Sequence, residues 1–326
     1  MRTAVLLIVL AACPHAAPDG EGPVDGNGSA TTPVDAASST IDAGPCGLRT
    51  GMRGKTNRTV HAGGLDRTYI VYLPEAVDAS EPVPLVFVHH GYTMSGQNMY
   101  DITGYPALAD REHVAVAFPD GQGGPGSLGA PWNVGANVCT SYEGVPPNAP
   151  GDDFAFLDAM KADIAQDQCL DPAHVFVTGF SMGGYFAHEA GCNGAGIAGV
   201  APHSGGTHDL AQCANAIKPI IMFHGAADPI VPDACEDPNV ASVTEGAAAA
   251  RWAAHNGCAT TTTSRTVDNG TCVTYDGCPA GGQVELCTFN AMGHCWAGGD
   301  GVNVYACGSY ESATELEWAF WKQHAW

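Results

Sequence analysis

The tightest constraint on the fold is a six-residue stretch, Gly179-Phe180-Ser181-Met182-Gly183-Gly184. A run of strand character, His174-Val175-Phe176-Val177-Thr178, precedes it, and a helix-like run, Tyr185-Phe186-Ala187-His188-Glu189-Ala190, follows. A serine between glycines at so sharp a turn is a demanding arrangement. A side chain at 179 or 183 would collide with neighbouring elements, and glycine relieves that. The turn lifts the Ser181 hydroxyl above the carboxyl end of a sheet. It also aims the Met182 backbone N–H from the start of a helix, where partial positive charge gathers. Without a strand before and a helix after, the same residues would be a small-residue loop with an incidental serine.

Short apolar runs recur along the chain. Residues 67–74 read as a strand ended by proline, and 84–91, 114–118, 197–202, 219–225 and 284–289 as further strands. Continuous apolar runs of this length suit strands buried on both faces of a parallel sheet. Between them, Asp152-Asp153 reads as the N-terminal cap of a helix to about residue 165. Residues 245–255 read as a second helix. Residues 311–324 form a closing helix, whose Leu316, Trp318, Phe320 and Trp321 are expected to pack on the sheet. The pattern is α/β, with a mostly parallel central sheet flanked by helices. With the serine turn it indicates the α/β-hydrolase fold.

Three strand ends carry chemistry. Strand 84–91 runs into His89-His90-Gly91-Tyr92. In this fold the loop after that strand supplies a backbone donor for an oxyanion, which points to the Tyr92 N–H, with Met182 as the second donor. The His89 and His90 side chains read as structural. Strand 219–225 leads to Asp228, with Asp233 and Asp209 as rival carboxylates. Strand 284–289 leads to a loop with His294. The order serine, aspartate, histidine is that of an α/β-hydrolase triad, so Ser181, Asp228 and His294 are the expected nucleophile, acid and base. The base must be neutral, so activity should fall at acid pH. A Gly-, Pro- and Asn-rich segment, 123–151, is expected to overhang the site. Trp132 and Trp296 are candidates to stack on an aromatic acyl group or a sugar ring, against the plainer reading that both are packing residues.

The N-terminus bounds the setting. Met1-Arg2-Thr3 precedes an apolar run, 4–12, too short to span a bilayer, which reads as a signal peptide over 1–12. Leu10-Ala11-Ala12-Cys13 resembles the lipobox of bacterial lipoproteins, implying a lipid on Cys13. An ordinary secretory signal cut near Ala17 is the alternative. Residues 13–45 lack aromatic and basic side chains beyond His15 and read as a flexible tether, leaving one domain over 46–326. Twelve basic against 34 acidic residues give a formal charge of −22, which argues against nucleic acid or anionic membrane as a partner. Thirteen cysteines become twelve once Cys13 is set aside, an even number behind an export signal, hence a disulfide framework. Cys258 with Cys278, Cys272 with Cys287, Cys192 with Cys213, and Cys295 with Cys307 are the candidate pairs. No cysteine/histidine set has zinc-ligand spacing, and neither metal nor organic cofactor is expected.

Segments 67–74, 84–91, 118–121, 152–157, 169–184, 224–232 and 293–299 resemble the secreted feruloyl esterase and acetylxylan esterase group. That group shades into polyhydroxybutyrate-depolymerase-like esterases. Asn256-Gly257-Cys258 and Tyr275-Asp276-Gly277-Cys278 resemble a paired cysteine feature of it. One departure stands out: Cys295-Trp296-Ala297-Gly298-Gly299 follows the histidine where the group has Thr-Trp-Pro-Gly-Gly. The resemblance implies a secreted serine carboxylesterase acting on feruloyl or acetyl esters of plant cell-wall xylan, and the chain is expected to be a monomer. A hydroxybutyrate polyester or oligomer hydrolase is the second implication. A non-catalytic binding protein on a hydrolase scaffold is the alternative of another class, because fold does not fix function.

Overall fold

The computed structural model describes residues 46, 49, 51–122, 130–134, 151–214, 217–232, 243–301 and 303–326. All belong to one compact unit. The expected signal and tether with Cys13, the rival Asp233 and most of the 123–151 segment lie outside the described residues.

The chain opens with a hairpin, β1 (Gly54–Ala62) and β2 (Leu65–Leu73), turned by Gly63-Gly64. Both glycines have positive φ, 58° and 77°, as a two-residue turn between twisted strands requires. Next come β3 (Val83–His89), α1 (Gly96–Ile102), α2 (Tyr105–Glu112), β4 (Ala115–Pro119), α3 (Asp153–Asp167), β5 (Leu170–Phe180), α4 (Met182–Asn193) and β6 (Gly199–His203). The rest of the chain holds β7 (Gly206–Thr207), β8 (Ile220–Gly225), β9 (Val243–Thr244), α5 (Glu245–Asn256), β10 (Thr262–Val267), β11 (Gly270–Tyr275), β12 (Val284–Phe289), β13 (Trp296–Ala297), β14 (Ala306–Cys307) and α6 (Ala313–His324).

Ten strands form one sheet in the order β1-β2-β4-β3-β5-β6-β8-β12-β11-β10. From β4 to β12 every pairing is parallel, and hairpins close both edges. Successive residues of a strand face opposite sides, and the core divides accordingly. Leu85, Phe87, Val175, Val177, Ile220 and Met222 pack with α3, α4 and α5, whereas Val86, Val88, Phe176, Ile221 and Phe223 pack with α1, α2 and α6. A strand with both faces covered needs apolar residues at every position, which is why β3, β4, β6 and β8 read as unbroken apolar runs. The chain runs from β3 outward to β4, then returns past β3 to β5. Such a reversal opens a crevice at the carboxyl ends of the two strands, where ligands of open α/β sheets bind. No helix among the described residues is long and apolar enough to cross a membrane.

Asp152 caps α3 by accepting from Ala155 N at 2.9 Å. Asp153 does something else. Its Oδ1 lies 2.9 Å from the Arg67 guanidinium with both side chains sealed from water, and its Oδ2 accepts from Asn133 N at 2.6 Å. The aspartate doublet therefore contributes one cap and one buried ion pair that ties β2 to α3.

Candidate active site

The Ser181 turn is as crowded as its glycines imply. A Cβ on Gly179 would stand 2.3 Å from the Gly183 carbonyl oxygen, and one on Gly183 2.3 Å from that of His89. Ser181 itself sits at φ 58°, ψ −116°, as the residue before α4. A non-glycine residue there stores strain of about 1–3 kcal/mol, tolerated only where the surroundings fix it. Here the Ser181 N–H donates to His203 O at 2.8 Å and its carbonyl accepts from Tyr185 N at 3.0 Å.

The loops after β8 and β12 are joined. Ala226 N donates to Phe289 O and Ala227 N to Met292 O, both at 2.9 Å, and a side chain at Gly225 would meet Met292 O at 2.4 Å. This zipper brings Asp228 and His294, 66 residues apart, to an Oδ2···Nδ1 distance of 2.6 Å. The other carboxylate oxygen accepts from Ile230 N at 2.8 Å and Val231 N at 3.0 Å. Burial pushes the Asp228 carboxyl up. The hydrogen bond and charge of His294 and the two backbone donors outweigh that and hold it below its ordinary value. The His294 ring also lies against Phe180, centroid to centroid 4.6 Å.

Opposite, Gly91 lies so near Ser181 that a Cβ on it would be 3.1 Å from the serine Cβ. His90 fixes this loop. Its Nδ1 bonds to Gly91 O at 2.7 Å and its Nε2 accepts from Gly121 N at 2.8 Å, which defines a neutral imidazole protonated at Nδ1. Burial pulls His90 down to about 4, so it stays neutral. His89 is likewise sealed and pulled down by burial to about 3. Both histidines thus hold backbone, as their sequence setting indicated. A third, His203, was not singled out by sequence. Its Nε2 accepts from Ala297 N at 3.0 Å, and burial pulls it down to about 3. It anchors the His294 loop to β6. Nothing local distinguishes it among 13 histidines.

A cavity of about 360 Å³ opens between these elements, lined by Tyr92, Met182 and Ser181 on one side and by His294, Ile230, Val304 and Tyr305 among others. Trp132 and Trp296 are not in its wall, and the stacking role expected of them is corrected: both are fully buried. The Trp132 indole donates to His90 O at 2.8 Å and stacks on Phe186. Trp296 stacks on His203 and donates to Thr314 Oγ1 at 3.3 Å. Each has spent its ring faces and its N–H on the support behind the cavity. Asp209, the other rival carboxylate, caps a short turn through Ala211 N at 3.0 Å.

Disulfides join Cys192–Cys213, Cys258–Cys278, Cys272–Cys287 and Cys295–Cys307, the four candidate pairs, and also Cys46–Cys169. Five bridges among the described residues suit an oxidising, extracellular setting. Among the described residues the one cluster of metal-type ligands is Cys272, Glu285 and Cys287, whose sulfurs are bonded to each other. An imidazole braced by a carboxylate lines the same cavity as a hydroxyl on a strained turn.

Sheet order, serine turn and acid–imidazole pair together define an α/β-hydrolase. The dienelactone hydrolase family model matches residues 152–257, the stretch holding Ser181 and Asp228. A feruloyl esterase B of Piromyces equi is 31% identical over 252 residues, covering 72% of this chain and 43% of that protein. A feruloyl esterase C of Emericella nidulans is 30% identical over 178 residues, covering 51% of this chain and 56% of that protein. The chain thus spans about half the length of these relatives. In structure, an acetyl xylan esterase from Aspergillus awamori superposes with a TM-score of 0.53 at 15% identity, over 81% of this chain and 99% of that one. The chain has the α/β-hydrolase fold and is similar to feruloyl and acetyl xylan esterases.

Proposed function

We propose that this chain is an exported serine carboxylesterase that hydrolyses feruloyl or acetyl esters of plant cell-wall xylan. The observation that carries the reading is the 2.6 Å contact of Asp228 with His294 at the wall of the cavity that also holds Ser181. Neutral His294 takes the proton of Ser181 Oγ as that oxygen bonds to the ester carbonyl carbon. Asp228 keeps the imidazole in the useful tautomer and stabilises it once charged. The Tyr92 and Met182 N–H groups receive the oxyanion, each such donor stabilising the transition state by about 2.7–4 kcal/mol. His294 returns the proton to the departing alcohol as the C–O bond breaks. Water, deprotonated by the same histidine, then releases the acid. The chain acts as a monomer, and a lipid on Cys13 tethers it to the cell envelope through the 13–45 segment.

Ser181→Ala should leave no more than a trace of turnover on 4-nitrophenyl acetate, read by nitrophenolate release. Retained turnover would refute the serine mechanism. Side-by-side release from methyl ferulate, acetylated xylan and hydroxybutyrate oligomers tests the substrate. Preference for the oligomers would replace the xylan reading with a polyester one.

A further inference from the structure

The Cys295–Cys307 bridge begins one residue after His294. The loop it closes has a fixed base. β13 and β14 pair in parallel, with Trp296 N to Tyr305 O at 2.8 Å and Gly298 N to Cys307 O at 2.9 Å. Ala297 N is held by His203, and Asp300 N donates to Ile102 O at 2.8 Å. A Cβ on Gly298 would fall 2.4 Å from Ser312 Cα, so that part of the loop lies flat on the approach to α6. Val304 and Tyr305 project from this base into the cavity wall. Val304 is 82% exposed, an apolar side chain left in water at the mouth of an apolar cavity. The Tyr305 ring lies 6.1 Å from that of Phe180, which in turn packs on His294.

The cavity, at about 360 Å³, lies at the small end of ligand-sized sites. It cannot enclose a polysaccharide, so the part of the ester it encloses is the acyl group. We propose that Val304 and Tyr305 form the selectivity wall of this site. Tyr305 offers a ring face to acyl groups larger than acetyl, and the Cys295–Cys307 bridge holds that face at a fixed distance from His294. The proposal rests on the esterase reading above. It makes the departure from the family pattern at residue 295 functional: the cysteine beside the histidine carries the wall.

The test compares kcat/KM for 4-nitrophenyl ferulate and 4-nitrophenyl acetate, two esters with the same leaving group. Tyr305→Ala should lower the ferulate-to-acetate ratio about tenfold or more, the size expected when a pocket contact is lost. Tyr305→Phe should keep the ratio, since the ring and not the hydroxyl supplies the face. Cys307→Ser should lower the ratio in the same direction by releasing the wall. An equal fall on both esters in Tyr305→Ala, or an unchanged ratio, would overturn the proposal. A wild-type chain that cleaves neither ester would overturn the esterase reading instead, so the two failures are told apart.

Discussion

Asp228 and Glu317 are both buried carboxyls close to the Ser181 strand, yet their surroundings assign them opposite charge states. Asp228, at the carboxyl end of β8, accepts from two backbone N–H groups and faces an imidazole that can carry positive charge. Glu317 of α6 is fully buried beneath β5, and among the described residues no cation acts on it. Its Oε1 accepts from the Tyr105 hydroxyl, and its Oε2 lies 2.9 Å from Thr178 Oγ1. That hydroxyl spends its only proton on Ala201 O at 2.6 Å, so it has a lone pair and no hydrogen left to offer Glu317. The proton of the contact therefore belongs to Glu317. Burial is the largest influence and pushes this carboxyl up to about 8, although the hydroxyl donated by Tyr105 pulls the other way. Burial alone does not decide the charge of a carboxyl in this sheet. The supply of donors and a chargeable partner does.

Removing the charge of Asp228 should break the comparison most severely. Asp228→Asn keeps the shape but takes away the anion that stabilises charged His294 and can turn the ring to the wrong tautomer. A fall in kcat of about 10³–10⁴-fold is expected, with the circular dichroism spectrum unchanged. A variant that keeps even a tenth of wild-type kcat would mean that Asp228 only braces the loop through Ile230 and Val231.

Glu317→Gln tests the other side. Because its folded value is raised from 4.5 to about 8, the folded protein holds this proton longer than the unfolded chain does. Stability contributed at this site is thus greatest below about pH 4.5, declines as pH rises toward 8, and is level above that. Glutamine cannot ionise. Its amide can donate to Thr178 while its oxygen accepts from Tyr105. The variant should match wild type in urea unfolding at about pH 4 and be more stable by a few kcal/mol at about pH 9. Parallel pH profiles for the two proteins would show that Glu317 titrates in the folded protein as it does in the unfolded chain.

The two carboxyls also show how far sequence reaches. Asp228 was legible because a strand-like run and a proline-punctuated loop place it, and a histidine follows one strand later. The serine turn and the parallel core were legible for the same reason: short apolar runs and glycines are local signals. Glu317 sits between Leu316 and Trp318 and reads as a solvent-facing helix position, yet it is sealed. Its partners, Tyr105 and Thr178, lie 212 and 139 residues away. The same limit hid His203 and the Val304–Tyr305 wall, which reach the site through the fold and a disulfide. β1 was missed because it is an edge strand of alternating exposure, Lys55-Thr56-Asn57-Arg58-Thr59-Val60, with no apolar run to mark it. Trp132 and Trp296 erred the other way. The overhanging 123–151 segment for Trp132, and nearness to His294 for Trp296, put them at the cavity, but their indole hydrogen bonds hold them behind it.

The smallest expected effect isolates the contact that sets the Glu317 proton. Thr178→Val is close to isosteric and removes the lone pair that accepts it. Glu317 then has a buried O–H with no acceptor, at a cost of about 1–2 kcal/mol near neutral pH. A double-mutant cycle with Glu317→Met, which unlike glutamine cannot donate to Thr178, separates this from the packing of valine in β5. If the carboxyl is neutral, each single variant perturbs one shared hydrogen bond, and the two should be coupled by about 1 kcal/mol. Additive effects would mean that Thr178 serves Ala201 alone, and Glu317 would then have to keep its proton on the strength of Tyr105 and burial.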